Sequence, residues 1–274
     1  MSVPDWPTSF GSVYKLPPMV GGIKWEHGHR MIAEFIGLLI IVMAVWTQRI
    51  EVRKWMRWLG WIALAAVVGQ GVLGGVTVLN FLPWSISTAH ATLGQMIFCV
   101  TVAMALFTSR EWLQDYEPIA EPEIAPSTPT LAALAAGCVW LQLILGAAFR
   151  HSGMKLLPHL IGACVVTAIL CWTVVRVLTR YGAVEHLRRP AQLLLALLMF
   201  QLGLGFAAYL TRLTYGHNAE QPWQIMVVST VAHVACGALV LAVSMVLAVQ
   251  SRRMINVHVE QSATHAAQQR VITA

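Results

Sequence analysis

The chain has 274 residues, of which 57% are hydrophobic and only 11% charged, with a formal net charge of +6 and a mean hydropathy of +0.66. Soluble domains carry roughly 25% charged residues, so this composition excludes an ordinary soluble domain and points to a polytopic membrane protein. The positive charge is then topology charge rather than a nucleic-acid footprint, because Lys and Arg collect on the cytoplasmic loops of membrane proteins.

The opening Met1-Ser2-Val3-Pro4-Asp5-Trp6-Pro7 has no apolar core of the kind found in signal peptides. It leads to a dense polar cluster, Glu26-His27-Gly28-His29-Arg30. Seven apolar runs follow, each near the length of about 20 residues that crosses a bilayer. They are predicted at Met31–Trp46, Trp58–Leu79, Ser87–Phe107, Thr130–Phe149, Leu157–Val177, Gln192–Leu210 and Ile225–Val249. Arg49, Arg53, Lys54 and Arg57 follow the first span, Arg176, Arg180, Arg188 and Arg189 the fifth, and Arg252 and Arg253 the last. These loops are assigned to the cytoplasm. The stretch Glu111–Pro129 is rich in acids and prolines, which oppose a helix, and reads as a solvated linker. The tail after Arg253 is polar and reads as poorly ordered. Cys99, Cys138, Cys164, Cys171 and Cys236 all fall inside spans and read as small apolar residues.

Four histidines, His29, His90, His159 and His233, lie in the first turns of apolar segments, where an ionisable side chain is costly and usually functional. They repeat: Ser87-Thr88-Ala89-His90 with Gly94 answers Ser229-Thr230-Val231-Ala232-His233 with Gly237. All four fall at the outer ends of their spans. Two imidazoles on parallel-running helices at equal depth can fill both axial positions of a haem, pairing His29 with His90 and His159 with His233. The small residues Gly94, Gly162 and Gly237 would let a flat macrocycle approach. The competing reading of a membrane histidine is an interhelical hydrogen bond. The second half has four spans and the first has three. Laying them together leaves the first half without a counterpart of its opening helix, and a further upstream span is expected.

Glu26 and His29, three residues apart, share a helical face. Glu26 is either a proton-handling carboxylate beside a haem-facing histidine or an acid stabilised at a helix start. Glu34 lies deeper and reads as a structural partner or part of a proton path. Arg150, His151 and Arg212 sit at outer helix ends, suited either to haem propionates or to snorkelling. Trp6, Trp25, Trp84 and Trp223 read as an interfacial aromatic belt. His186, His217, His258 and His265 receive no role.

The ordered set formed by Val3-Pro4-Asp5-Trp6-Pro7, Glu26-His27-Gly28-His29-Arg30, Gly74-Gly75-Val76-Thr77, Ser87-Thr88-Ala89-His90, Leu141-Gln142-Leu143-Ile144-Leu145-Gly146 with Arg150-His151, Pro158-His159, and Ser229-Thr230-Val231-Ala232-His233 resembles the haem A synthase family of cytochrome oxidase assembly. The resemblance implies an all-α membrane bundle of two four-helix halves. Here these would be residues 1–110 (lacking a first helix), a linker at 111–129, residues 130–253, and a tail at 254–274. It implies that His159 and His233 bind a haem b cofactor, that His29 and His90 line a substrate-haem site, and that Glu26 is the catalytic carboxylate. The implied reaction oxidises the C8 methyl of haem O stepwise to the formyl of haem A. The chain lacks the cysteine pair that many members carry in the first outer loop.

The implied setting is the cell (inner) membrane, with the haem sites toward the extracytoplasmic side. Lipid, haem O and haem A are the implied partners, with haem O synthase, cytochrome oxidase subunit I and a second copy of the chain as candidates, and no nucleic acid. The alternative is a non-enzymatic bis-histidine dihaem cytochrome that relays electrons. An inverted-repeat transporter fits less well, because an even-span repeat is parallel.

Overall fold

The computed structural model describes residues 3–12, 16–122, 124–216 and 223–256. Backbone polar groups cannot be left unpaired in hydrocarbon, so apolar segments of this length satisfy them internally as helices. Seven helices are long and apolar enough to cross a membrane: α1 (Gly21–Ile50), α2 (Lys54–Leu79), α3 (Trp84–Thr108), α5 (Thr128–Arg150), α6 (Leu156–Arg180), α7 (Glu185–Tyr215) and α8 (Gln224–Met254). A four-residue helix, α4 (Arg110–Leu113), precedes α5. Most of these helices outrun the apolar runs that announce them. α1 begins ten residues before Met31, so the whole Glu26–Arg30 cluster is helical. Polar residues at the membrane boundary continue a helix because its hydrogen bonds are local.

α5, α6, α7 and α8 close a ring in which α5 and α7 each touch α6 and α8. α1, α2 and α3 form a row, with α2 packed against both others, and α3 joins the ring through α5 and α8. Small residues set the closest approach: Gly60 of α2 lies against the Ala44 backbone of α1, where an added Cβ would stand 3.4 Å from Ala44 Cα. Such contacts drive helix association where apolar burial cannot. Between α1 and α2, Arg53 grips Glu51 and donates to the Phe107 carbonyl at 2.9 Å, tying the turn to the end of α3.

The stretch expected to be a solvated linker is mostly exposed, but it is anchored at a few points. Ile119–Ala120 (β1) pairs in parallel with Ile255–Asn256 (β2) beyond α8. Glu121 is 2% exposed, and its carboxylate accepts from the backbone N–H and the hydroxyl of Thr128. The Tyr181 phenol also bonds to this carboxylate, and burial together with Glu121 pushes its pKa up to about 12. Arg176 donates to the Pro126 carbonyl, and Arg253 donates to the Gln114 carbonyl at 2.6 Å. Prolines and acids do not prevent local burial here, because the buried Glu121 carboxylate is hydrogen-bonded. The start of the tail is likewise ordered, with Met254 and Ile255 buried; residues 257–274 lie outside the described residues.

Candidate haem-binding histidine pairs

α1, α3, α6 and α8 all begin at one end of the bundle, so the parallel direction inferred from sequence brings each early histidine to similar depth. His29 and His90 stand with ring centres 6.2 Å apart at an interplanar angle of 80°. His159 and His233 stand 6.4 Å apart at 88°. An imidazole nitrogen ligates a transition metal at about 2.0–2.1 Å, and a ring radius of roughly 1 Å puts each ring centre about 3 Å from the metal. One iron shared by two imidazoles therefore needs the separation seen in both pairs. Among the described residues no cluster of three or more His, Cys, Asp or Glu side chains is arranged to hold a metal ion. Two facing imidazoles would suit a metal whose other ligands come from a macrocycle.

Each of three histidines is seated on a glycine of the preceding helix. A Cβ added at Gly74 would lie 3.1 Å from His90 Cε1; at Gly146, 2.9 Å from His159 Cε1; at Gly205, 2.9 Å from His233 Cε1. In all three, Nδ1 is the next nearest ring atom. Four residues before each glycine is a glutamine. His90 Nδ1 lies 3.2 Å from the Gln70 carbonyl oxygen, and His159 Nδ1 lies 3.0 Å from the Gln142 side-chain Nε2. His233 Nδ1 has no hydrogen-bond partner among the described residues. The glutamine side chains fill the opposite half of the contact. Gln70 lies on Gly94, Gln142 on Gly162 and Gln201 on Gly237. This corrects the sequence reading of those three glycines as openings for a macrocycle: glutamines occupy them. The signal that marks the seats is the segment Gln-x-x-Leu-Gly, present at 70–74, 142–146 and 201–205.

Glu26 is held by the N-terminal segment. Its Oε2 accepts from the Val3 N–H at 3.1 Å, and its Oε1 lies 3.2 Å from Arg30. Arg30 also donates to the carbonyls of Asp5 and Thr8, both at 2.8 Å. Residues 3–12 thereby fold back over this end of α1 and α2, with Trp6 lying on Gly75 and Val3 fully buried. His27 Nδ1 lies 3.0 Å from the Ser9 hydroxyl. Trp6 and Trp84 are more than belt residues: Trp84 packs on Gly153, joining the start of α3 to the α5–α6 turn.

Arg150 and His151 close α5, and the Arg212 guanidinium lies 4.7 Å from the Phe149 ring centre. Among the described residues neither Arg150 nor Arg212 has a carboxylate partner. Burial, then Arg150 and His90, push the His151 pKa below the usual histidine range. His186 stacks edge-on with Tyr116 at the opposite end of the bundle. His217, His258 and His265 lie outside the described residues.

A family model described as "Cytochrome oxidase assembly protein" matches residues 22–157. A heme A synthase of Shouchella clausii is 28% identical over 203 residues, covering 72% of this chain and 63% of its own length. The chain therefore spans less than two thirds of that relative. A heme A synthase of Symbiobacterium thermophilum is 27% identical over 260 residues, covering 81% of this chain and 82% of its own. Another, of Rhizorhabdus wittichii, is 29% identical over 129 residues, covering 45% and 36%. No solved structure gives a significant match.

Proposed function

Because this chain belongs to the haem A synthase family of cytochrome oxidase assembly, we propose that it is a membrane oxidoreductase converting haem O to haem A. The observation that carries this is the presence of two histidine pairs, at 6.2 and 6.4 Å, of which only the His29–His90 pair lies on a helix bearing a carboxylate in the Glu-x-x-His pattern. His159 and His233 hold the resident haem b, which supplies an electron-transfer centre when bound. His29 and His90 receive the substrate haem O. Arg150 and Arg212, which have no carboxylate partner among the described residues, take haem propionates.

Glu26 handles protons. Oxidising a ring methyl to a formyl releases protons as well as electrons, and an anchored carboxylate can accept them. The Val3 N–H and the Arg30 guanidinium fix both of its oxygens. The folded-back segment 3–12 holds the carboxylate in place through the Val3 N–H and, by way of Arg30, the carbonyls of Asp5 and Thr8. The basic residues Arg49, Arg53, Lys54, Arg57, Arg252 and Arg253 gather at the other end, so the histidine end faces the extracytoplasmic side of the cell membrane.

The test is to purify the protein from cells that make haem O, extract its haems and identify them by mass. Haem B together with haem O or haem A is the expected result. Haem B alone at full occupancy would make it an electron-relaying dihaem cytochrome.

A further inference from the structure

Glu34 is the only acidic residue that falls within the seven predicted spans. It lies two helical turns inward of Glu26, about 12 Å along the axis. It is exposed, and among the described residues it has no ion-pair partner. Arg30, one turn away, is already committed to Glu26 and to the carbonyls of Asp5 and Thr8. A carboxyl group facing hydrocarbon is costly and is normally met by pairing. This face of α1 therefore calls for a polar partner.

The other faces of α1 are already in use. The side toward α2 carries the buried Ile40 and Ala44, and His29 faces His90 of α3. At 100° per residue, Glu34 stands about 140° around the helix from His29 and about 120° from Ile40. It belongs to neither contact. In line with it run Met31, Leu38, Ile41 and Val45, all exposed. Their spacing alternates three and four residues, the a/d pattern of a left-handed helix pair. Apolar residues alone would carry no argument, because apolar burial does not drive helix association in lipid. A single polar residue in such a seam does, since it fixes register and partner. In its neutral form a carboxyl group has one O–H donor and a remaining acceptor, so it complements itself. A two-fold interface sets the same patch against itself, and two parallel α1 helices bring the same residue together at equal depth. We propose that the α1 face formed by Met31, Glu34, Leu38, Ile41 and Val45 docks a second copy of this chain, α1 against α1, with the two Glu34 carboxyl groups hydrogen-bonded to each other.

Two measurements test this. Leu38 lies on the seam, whereas Leu39 is also exposed but turned about 100° away. Mild oxidation of native membranes should give a disulfide-linked dimer for Leu38→Cys. Leu39→Cys, and the wild type with its five cysteines, should run as monomers on denaturing gels. Energy transfer between labelled copies, followed as lipid vesicles are diluted with lipid, reads the carboxyl group. Glu34→Gln keeps a donor and an acceptor and should hold the dimer. Glu34→Leu should weaken it on the order of tenfold, the usual scale of a polar contact between membrane helices. A wild-type monomer at every dilution, or cross-linking at Leu39 as efficient as at Leu38, would overturn the proposal. So would loss of the dimer in Glu34→Gln, or equal dissociation of Glu34→Leu and wild type. None of these outcomes depends on the haem reading.

Discussion

Arg30 stands 3.2 Å from Glu26 and at the same time holds the chain that covers it, through the carbonyls of Asp5 and Thr8. One guanidinium therefore couples the carboxylate to the order of residues 3–12. Hydrogen bonds from a charged group contribute about 1.5–3 kcal/mol each, so Arg30→Ala should cost the segment at least one such increment. Proteolytic cleavage within residues 3–12 should accelerate, and Arg30→Lys, which lacks the planar fork, should recover only part of the protection. Equal cleavage rates in all three proteins would show that Arg30 does not hold the segment.

Glu26→Gln keeps the shape and removes the base. Its Val3 contact can persist through the amide oxygen, so folding and haem b content should match wild type. Conversion of haem O to haem A should fall by about 10²–10⁴-fold, the usual contribution of a general acid–base group, as read by pigment extraction. His29→Ala should instead weaken retention of the substrate haem. Wild-type conversion by Glu26→Gln would leave Glu26 as a structural cap.

The N-terminal segment also carries an acid-sensitive element. Asp5 accepts from the Thr8 hydroxyl and from the N–H groups of Phe10 and Gly11, the latter two at 2.8 Å. These bonds, the Thr8 hydroxyl first, lower its pKa from 3.8 to about 2. A depressed carboxyl contributes stability that is complete above its unfolded pKa and is lost as pH falls through the folded value. The segment should hold its conformation down to about pH 4 and loosen toward pH 2. A spin label at Pro4 should report this, and Asp5→Asn should raise its mobility even at neutral pH.

The second pair should be separable from the first. His159→Ala or His233→Ala removes one axial ligand, so haem b content should drop and the remaining low-spin absorption should change. This should hold whether or not Glu26 is intact. Unchanged haem content and spectrum in both variants would exclude the pair as ligands.

At the opposite end, Glu121 anchors the segment between α4 and α5. Glu121→Ala would strand the buried Thr128 donors and the Tyr181 phenol. Leaving buried groups unsatisfied costs about 1–3 kcal/mol each, so thermal unfolding in detergent should shift down by several degrees while the haem spectrum stays as in wild type. An unchanged midpoint would mean that water replaces the carboxylate.

Much of this was legible in the chain before any coordinates. Apolar run length sets the seven helices, because a bilayer demands about 20 residues and internal backbone pairing. Parity and basic loops put His29, His90, His159 and His233 at one end, and the repeat suggests the neighbours His29–His90 and His159–His233, whose ring centres lie 6.2 and 6.4 Å apart. These are local or one-dimensional signals. The docking of Glu121, the grip of Arg30 on residues 3–12 and the seating of His90, His159 and His233 on Gly74, Gly146 and Gly205 were not legible in that way. The segment Gln-x-x-Leu-Gly is visible three times, yet its meaning depends on which helix face meets which neighbour. Gly94, Gly162 and Gly237 show the difference: sequence marks them as small, and only packing reveals that glutamines fill the space they leave. Helix rotation and interhelical contact are decided by side chains brought together from distant parts of the chain, and no local period encodes them.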